Sequence, residues 1–196
     1  MKTRTATINR KTTETDISVT INLDGTGKYQ VETGIGFLNH MLELFSKHSL
    51  VDLTVKAKGD LKTDEHHTVE DVGICLGEAL RKALGDKRGI ERYGFLLSMD
   101  EALAQVVLDL GGRSYLVWNV SFKREKIGDM PTELFEDFFK AVADNLQANI
   151  HINVKYGRNE HHIAESVFKA FARALRFAAS RDKRAQDLLP STKGKL

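Results

Sequence analysis

Asp64-Glu65-His66-His67-Thr68-Val69-Glu70 and Asn159-Glu160-His161-His162-Ile163-Ala164-Glu165 are two copies of one pattern: an acid or amide, then Glu, His, His, any two residues and Glu. Each copy opens a stretch whose apolar residues recur at helical spacing. On an α-helix, residues i and i+4 share a face, so His66 can share a metal with Glu70, and His161 with Glu165. The second histidine of each pair is turned by about 100° and must look elsewhere. One copy alone offers a two-ligand face and an odd imidazole. Two copies together offer six ligands arranged for two metals, and the same spacing twice argues against mere decoration of a solvated helix end.

Outward from these copies the chain repeats itself. His66 maps to His161 and Glu70 to Glu165, an offset of 95 residues. Asp16 to Leu23 alternates Ile17, Val19, Ile21 and Leu23 with polar residues, the period of a half-buried strand. Asp24-Gly25-Thr26-Gly27 then turns into a second strand near Tyr29 to Thr33, which reads as a hairpin. A helix follows from Phe37 to about Lys47, flanked by His40 and His48, then an alternating strand through Val51, Leu53, Val55 and Ala57, and then the first motif on a helix to about Leu84. The second half runs through a strand or bent pair from Phe95 to Leu110 and a strand from Tyr115 to Phe122 that makes Trp118 structural. A helix from about Glu133 to Leu146, a strand around Ile150 to Val154 and the second motif helix to about Ala179 complete it. Both halves thus read β-β-α-β-α, an α+β fold built by duplication of a half-domain. The boundaries fall at residues 1–92 and 93–196, with the joint near Ile90 to Gly94, and the halves form one compact catalytic unit.

With 196 residues and 41% hydrophobic content the chain can bury a real core. Its 29 basic and 27 acidic residues leave a net charge of +2, so no global field argues for nucleic acid or membrane as a partner. The basic run from Arg173 to Lys195 reads as a solvated face. Cys75 is the only cysteine, which excludes an intramolecular disulfide and suits a reducing compartment. Its apolar helical setting marks it as a buried, inert thiol. The polar stretch from Met1 to Asp16 lacks the apolar region of a signal peptide, and no run approaches a membrane span, so the expected location is cytoplasmic.

His40 and His151 are the candidates to complete the metal shells, giving six histidines and two glutamates in two four-ligand sets. A plausible partition joins the odd imidazole of one motif to the i, i+4 face of the other, drawing each metal's ligands from both halves or from two subunits. Mixed imidazole and carboxylate ligation suits manganese, iron, cobalt or zinc, and affinity order does not choose among them. The positive end of a helix disfavours a cation by about 0.3 to 1 kcal/mol, which two carboxylates and direct coordination outweigh. The pattern is not the His-Glu-x-x-His of a zincin, nor the four-carboxylate set of a ferritin-like bundle.

Both motif stretches, together with Thr33-Gly34-Ile35-Gly36-Phe37-Leu38-Asn39-His40-Met41-Leu42, Leu108-Asp109-Leu110-Gly111-Gly112-Arg113 and Ser191-Thr192-Lys193-Gly194, resemble the imidazoleglycerol-phosphate dehydratase family over nearly the whole chain. Thr63 and Asn39 depart from the family's usual residues without removing a ligand. The resemblance implies two half-domains, each a four-stranded sheet backed by two helices, of the ribosomal protein S5 domain 2-like kind. It implies two manganese ions per active site, one held by His40, His66, Glu70 and His161 and the other by His67, His151, His162 and Glu165. It further implies a homo-oligomer of 24 subunits with active sites between subunits. The implied reaction is the dehydration of imidazoleglycerol phosphate to imidazole acetol phosphate in histidine biosynthesis, through an imidazolate held by two metals. Glu14 is the implied acid or base, with Glu165 assisting, and Arg92, Arg113, Lys169, Ser191 and Lys193 match the family's phosphate cluster. By spacing alone Glu14 reads as surface charge and Lys193 as tail, His48 either lines the substrate pocket or caps its helix, and Glu43 and Asp137 read as solvated. A dinuclear metallohydrolase acting on a phosphorylated small molecule is the alternative enzyme, and metals stapling an oligomeric shell the non-enzymatic one.

Overall fold

The computed structural model describes residues 3–185 and 187–196, with the side chains of 94–96 left out; Met1, Lys2 and Gln186 lie outside it. The chain runs β1 (Thr5–Lys11), β2 (Thr15–Asn22), β3 (Tyr29–Glu32), α1 (Gly36–Ser49), β4 (Asp52–Gly59), α2 (His66–Leu84), then β5 (Tyr93–Met99), β6 (Ala102–Asp109), β7 (Tyr115–Asn119), β8 (Lys126–Ile127), β9 (Met130–Pro131), α3 (Leu134–Leu146), β10 (Asn149–Tyr156) and α4 (Glu160–Ala178). Two four-stranded sheets result, ordered β1-β2-β4-β3 and β5-β6-β10-β7, so that one half repeats the other.

In each sheet two antiparallel pairs are followed by a parallel one, β3 on β4 and β7 on β10, and the parallel strands are joined by the crossover helices α1 and α3. The alternation that marks the strands is spent on one face. Ile17 lies opposite Ala57, Val19 opposite Val55 and Ile21 opposite Leu53, and the second sheet matches Ile150 with Leu108 and Ile152 with Val106. Helix α2 covers its own sheet and packs along α3 of the other half, and α1 packs along α4. The buried apolar residues of both halves therefore join into one core. Phe45 stacks on Phe171 where α1 meets α4, their centroids 5.8 Å apart. Where α2 meets α3 the helices come closer, for a Cβ placed on Gly77 would lie 2.8 Å from the Val142 carbonyl oxygen, and one on Gly73 2.8 Å from that of Phe138.

The four-stranded sheets and paired helices agree with the α+β expectation; the β-β-α-β-α plan omits β1 from the first half, while in the second the bent pair from Phe95 to Leu110 corresponds to β5 and β6, and the β8–β9 hairpin is additional. The expected hairpin between residues 16–23 and 29–33 is not formed. Strand β2 pairs instead with β1, Ile8 lying opposite Val19, and β3 lies on the far side of β4. The reason is that β1 is an edge strand whose alternate residues Thr5, Thr7, Asn9 and Lys11 are polar, leaving a weak inward pattern of Ala6 and Ile8. His40 and His48 lie inside α1 rather than at its flanks. Cys75 is fully buried, and burial pushes its thiol up to about 12, consistent with an inert residue. Trp118 stacks on Phe139 at 5.6 Å, a packing role.

Candidate metal centre

The first residue of each motif starts its helix. The Asp64 carboxylate accepts the His66 N–H at 2.9 Å and the Asn159 side chain accepts that of His161 at 3.0 Å, filling donors that a helix start leaves open. This explains why an acid or amide stands there. Within each pair the rings are nearly perpendicular, 85° for His66 and His67 and 88° for His161 and His162.

Where α1 packs on α4, three donors converge. Glu165 Oε1 lies 2.8 Å from His40 Nε2 and 3.2 Å from His161 Nε2. One ligand atom from each of the three lies within 4.8 Å of the others. The Phe37 ring stands edge-on to His161, centroids 5.2 Å apart, and walls this group from the core side. Glu165 Oε2 takes the Lys169 ammonium at 2.7 Å. Burial alone would raise the Glu165 carboxyl, but Lys169, His40 and His161 together outweigh it and hold it at about 2. A buried, ionised carboxylate between two imidazoles is a donor set that fits a borderline divalent cation.

The other proposed ligands lie apart from this group in the single chain. His66 Nε2 is 4.0 Å from Glu70 Oε2, and its Nδ1 is 3.7 Å from Asp137, whose side chain is 44% exposed. His67 sets Nδ1 against Asp60 at 3.1 Å and Nε2 3.8 Å from Glu14. His162 sets Nδ1 against Glu101 at 2.8 Å and Nε2 3.9 Å from Asp100. These carboxylates raise both imidazoles above the ordinary histidine range, Asp60 acting most on His67 and Glu101 most on His162. Glu101 is in turn held at about 2 by His162 and then by the Asn159 N–H. His151 sits on β10 beside the Tyr115 ring, 6.3 Å between centroids.

The proposed phosphate residues fall into two places. The joint hydrogen-bonds to the end of α4, the Arg92 N–H reaching the Ala178 carbonyl at 2.8 Å. The Arg92 guanidinium forks onto Asp109 at 2.5 and 2.9 Å and donates to the Pro190 carbonyl at 2.8 Å, which anchors the tail. Ser191 Oγ donates to the Lys195 carbonyl at 2.8 Å and accepts from the Lys193 N–H at 3.2 Å. The tail ends over the Gly111-Gly112 turn beside Arg113, since a Cβ on Gly112 would lie 2.7 Å from the Leu196 carboxyl carbon. Lys169, on α4, belongs to the Glu165 group instead. His48, half-buried, is pushed down by burial and then by Lys169 and Arg173, so it lies near that group too.

Four acids escaped the reading of the sequence. Asp60 and Glu101 hold the odd imidazoles; buried Asp71 accepts Thr15 Oγ1 at 2.5 Å and Arg10 Nε at 2.8 Å on either side of the Glu14 turn. Asp129 accepts the Gly36 and Phe37 N–H groups at the start of α1, at 2.6 and 2.9 Å. None carries a spacing signal, because each acts across the fold from a turn or a helix face.

Fold and site together define a duplicated α+β protein with a His/Glu group able to hold a metal. Residues 33–175 match the sequence profile of the family described as imidazoleglycerol-phosphate dehydratase. An imidazoleglycerol-phosphate dehydratase of Cereibacter sphaeroides is 56% identical over 98% of this chain and 100% of its own length. The histidine biosynthesis bifunctional protein HisB of Spirosoma linguale is 58% identical over 98% of this chain, which spans only 50% of that relative. The crystal structure of imidazoleglycerol-phosphate dehydratase from Staphylococcus aureus superposes with a TM-score of 0.83 at 41% identity, covering 91% of this chain and 99% of that one. The chain belongs to the imidazoleglycerol-phosphate dehydratase family.

Proposed function

We propose that this chain is a metal-dependent hydro-lyase of histidine biosynthesis that dehydrates imidazoleglycerol phosphate to imidazole acetol phosphate. The observation that carries this, beside family membership, is the convergence of His40, His161 and buried Glu165. The full ligand sets are His40, His66, Glu70 and His161 for one ion and His67, His151, His162 and Glu165 for the other, with manganese as the ion in both. Such ions supply Lewis acidity to a ring nitrogen ligand and template the substrate.

The reaction breaks one C–O and one C–H bond, releases water and leaves an enol that becomes the ketone. The hydrogen removed is not acidified by a neighbouring carbonyl, and an acid or base within hydrogen-bond reach must serve the proton transfers. Glu14 is the candidate. Its Oε2 stands 3.8 Å from His67 Nε2, so acid and ligand share one neighbourhood. Glu165, kept ionised by Lys169 beside His40 and His161, is the second candidate acceptor. Arg92 holds the tail that carries Ser191 and Lys193, and the tail reaches the Gly112 turn next to Arg113; guanidinium, ammonium and hydroxyl donors of this kind suit a phosphate. Lys169 and His48 lie with the Glu165 group instead, and their part in holding the phosphate is proposed from the family resemblance.

In one chain Glu165 of the second set stands between His40 and His161 of the first, while His66 and Glu70 lie elsewhere. This division supports sites completed between subunits; the homo-oligomer of 24 copies, the half-domains 1–92 and 93–196 and a place in the cytoplasm are proposed with it, on the family resemblance and the reading of the sequence. Manganese-loaded protein is expected to convert imidazoleglycerol phosphate to an enolisable ketone, and Glu14→Gln to bind substrate yet turn over slowly. Phosphate release without ketone would mean a dinuclear hydrolase instead. Assembly with metal but no turnover would leave the ions as staples.

A further inference from the structure

The odd imidazoles, His67 and His162, share an arrangement that the duplication did not copy. An ionised carboxylate only accepts hydrogen bonds, so a ring nitrogen within reach of one carries the proton. Asp60 lies 3.1 and 3.2 Å from His67 Nδ1, and Glu101 lies 2.8 Å from His162 Nδ1. In both rings Nε2 is uncommitted, the nearest acids standing 3.8 and 3.9 Å away. Asp60 follows β4, whereas Glu101 sits in the turn between β5 and β6. By element order the β5–β6 turn that holds Glu101 corresponds to the β1–β2 turn that holds Glu14, while Asp60, directly after β4, corresponds to Gly157, directly after β10. The two halves thus reach one geometry from unrelated positions, which common descent of the halves does not explain and a shared task does.

We infer that Asp60 and Glu101 are positioning residues, each holding one Nδ1–H so that His67 and His162 present the Nε2 lone pair as a ligand atom. This rests on reading both histidines as metal ligands. Metal-bound imidazoles are commonly oriented in this way, and loss of the orienting group weakens metal binding by about 10 to 100-fold. Asp60 is the cleaner case, because both of its carboxylate oxygens face His67 Nδ1. Glu101 also accepts the Arg158 and Asn159 N–H groups ahead of α4 and so carries a local structural duty as well.

The test is Mn²⁺ titration of the whole assembled protein, followed by the electron paramagnetic resonance signal of free Mn²⁺, for wild type, Asp60→Ala, Asp60→Asn, Glu101→Gln and His67→Ala. Asp60→Ala is expected to weaken one class of sites by about 10 to 100-fold with unchanged circular dichroism. Asp60→Asn, which keeps an acceptor, is expected to recover part of the loss, and Glu101→Gln to weaken the sites less than Asp60→Ala. In metal-free, ¹⁵N-histidine-labelled protein, Asp60→Ala is expected to move the His67 ring away from the Nδ1–H tautomer, a change that general loosening does not make. If His67→Ala loses sites while Asp60→Ala titrates like wild type, the positioning role is overturned. If His67→Ala itself binds Mn²⁺ with wild-type stoichiometry, the ligand reading beneath it is what fails.

Discussion

Removing the carboxylate of Asp129 tests whether the second half of the chain holds the first half's metal-bearing helix in place. Helix α1 has no side-chain cap from its own N-cap residue, Ile35. Asp129, 93 residues from Gly36, supplies the missing acceptor from the tip of the β8–β9 hairpin. That hairpin is anchored by buried Ile127 and Met130, and its Gly128 lies against Phe37. Loss of a helix cap costs about 0.5 to 2 kcal/mol. The interaction of an exposed negative charge with the helix start adds about 0.3 to 1 kcal/mol. Since the Gly36 bond is exposed and the Phe37 bond part-buried, Asp129→Ala is expected to lose about 1 to 2 kcal/mol. Asp129→Asn retains one acceptor without charge and is expected to lose roughly half of that. The first turn of α1 carries Phe37 and His40, so fraying there also loosens the contacts of both rings with His161. Urea unfolding of chelated protein at one fixed chain concentration measures the first effect, and Mn²⁺ titration the second, as several-fold weaker binding. A change within about 0.5 kcal/mol, the usual result for a surface residue, with unaltered metal affinity would refute the capping argument.

Gly77→Ala improves helix propensity by about 1 kcal/mol, but its Cβ would press on the backbone of α3, and overpacking costs about 1 to 3 kcal/mol. Net destabilisation is expected in the same urea assay, and a gain in stability would show that the helices have room to part. In metal-free protein, Glu165 and Glu101, both held at about 2, contribute stability that is full above the ordinary carboxylate value of 4.5 and is lost as pH falls towards 2. His67 and His162, raised, contribute below the ordinary value of 6.5 and cease to as pH rises through their folded values. The urea midpoint should therefore fall on both sides of a mid-range maximum, and Glu165→Gln should flatten the acid side; an unchanged acid slope in that variant would contradict the assignment. Arg92→Lys cannot reproduce the fork on Asp109 together with the Pro190 contact, so proteolysis of the tail beyond Leu188 should accelerate and KM should rise with little change in kcat. An intact tail and an unchanged KM would disconnect Arg92 from both roles.

What could be read from the sequence divides by range. The central strands announced themselves, because Ile17, Val19 and Ile21, like Ile150 and Ile152, face a buried layer on one side only. Edge strand β1 did not, and without it the pairing of β2 was assigned to the nearest later strand. The motif helices and the shared face of His161 and Glu165 were within reach, since histidine is scarce and its spacing repeats, whereas the approach of His40 to Glu165 joins residues that the expected sets assign to different ions. Asp60, Asp71, Glu101 and Asp129 were not. Each is a common residue type in an ordinary place along the chain, and its importance is created by a partner between 7 and 93 residues away.

Exchange the two halves, and the contact of α2 with α3 becomes that of α4 with α1. This is the geometry of a two-fold dimer, folded into a single polypeptide. In a true dimer any substitution at such a contact is felt twice. Here it is felt once, and the two crossings have parted company: at the repeat offset of 95, Gly73 and Gly77 correspond to Phe168 and Ala172. One crossing has become a close backbone approach and the other an aromatic one built around Phe45 and Phe171. Fusion of the halves thus released the chain from its own symmetry, so that the wall beside Glu165 can change while the other crossing keeps its shape.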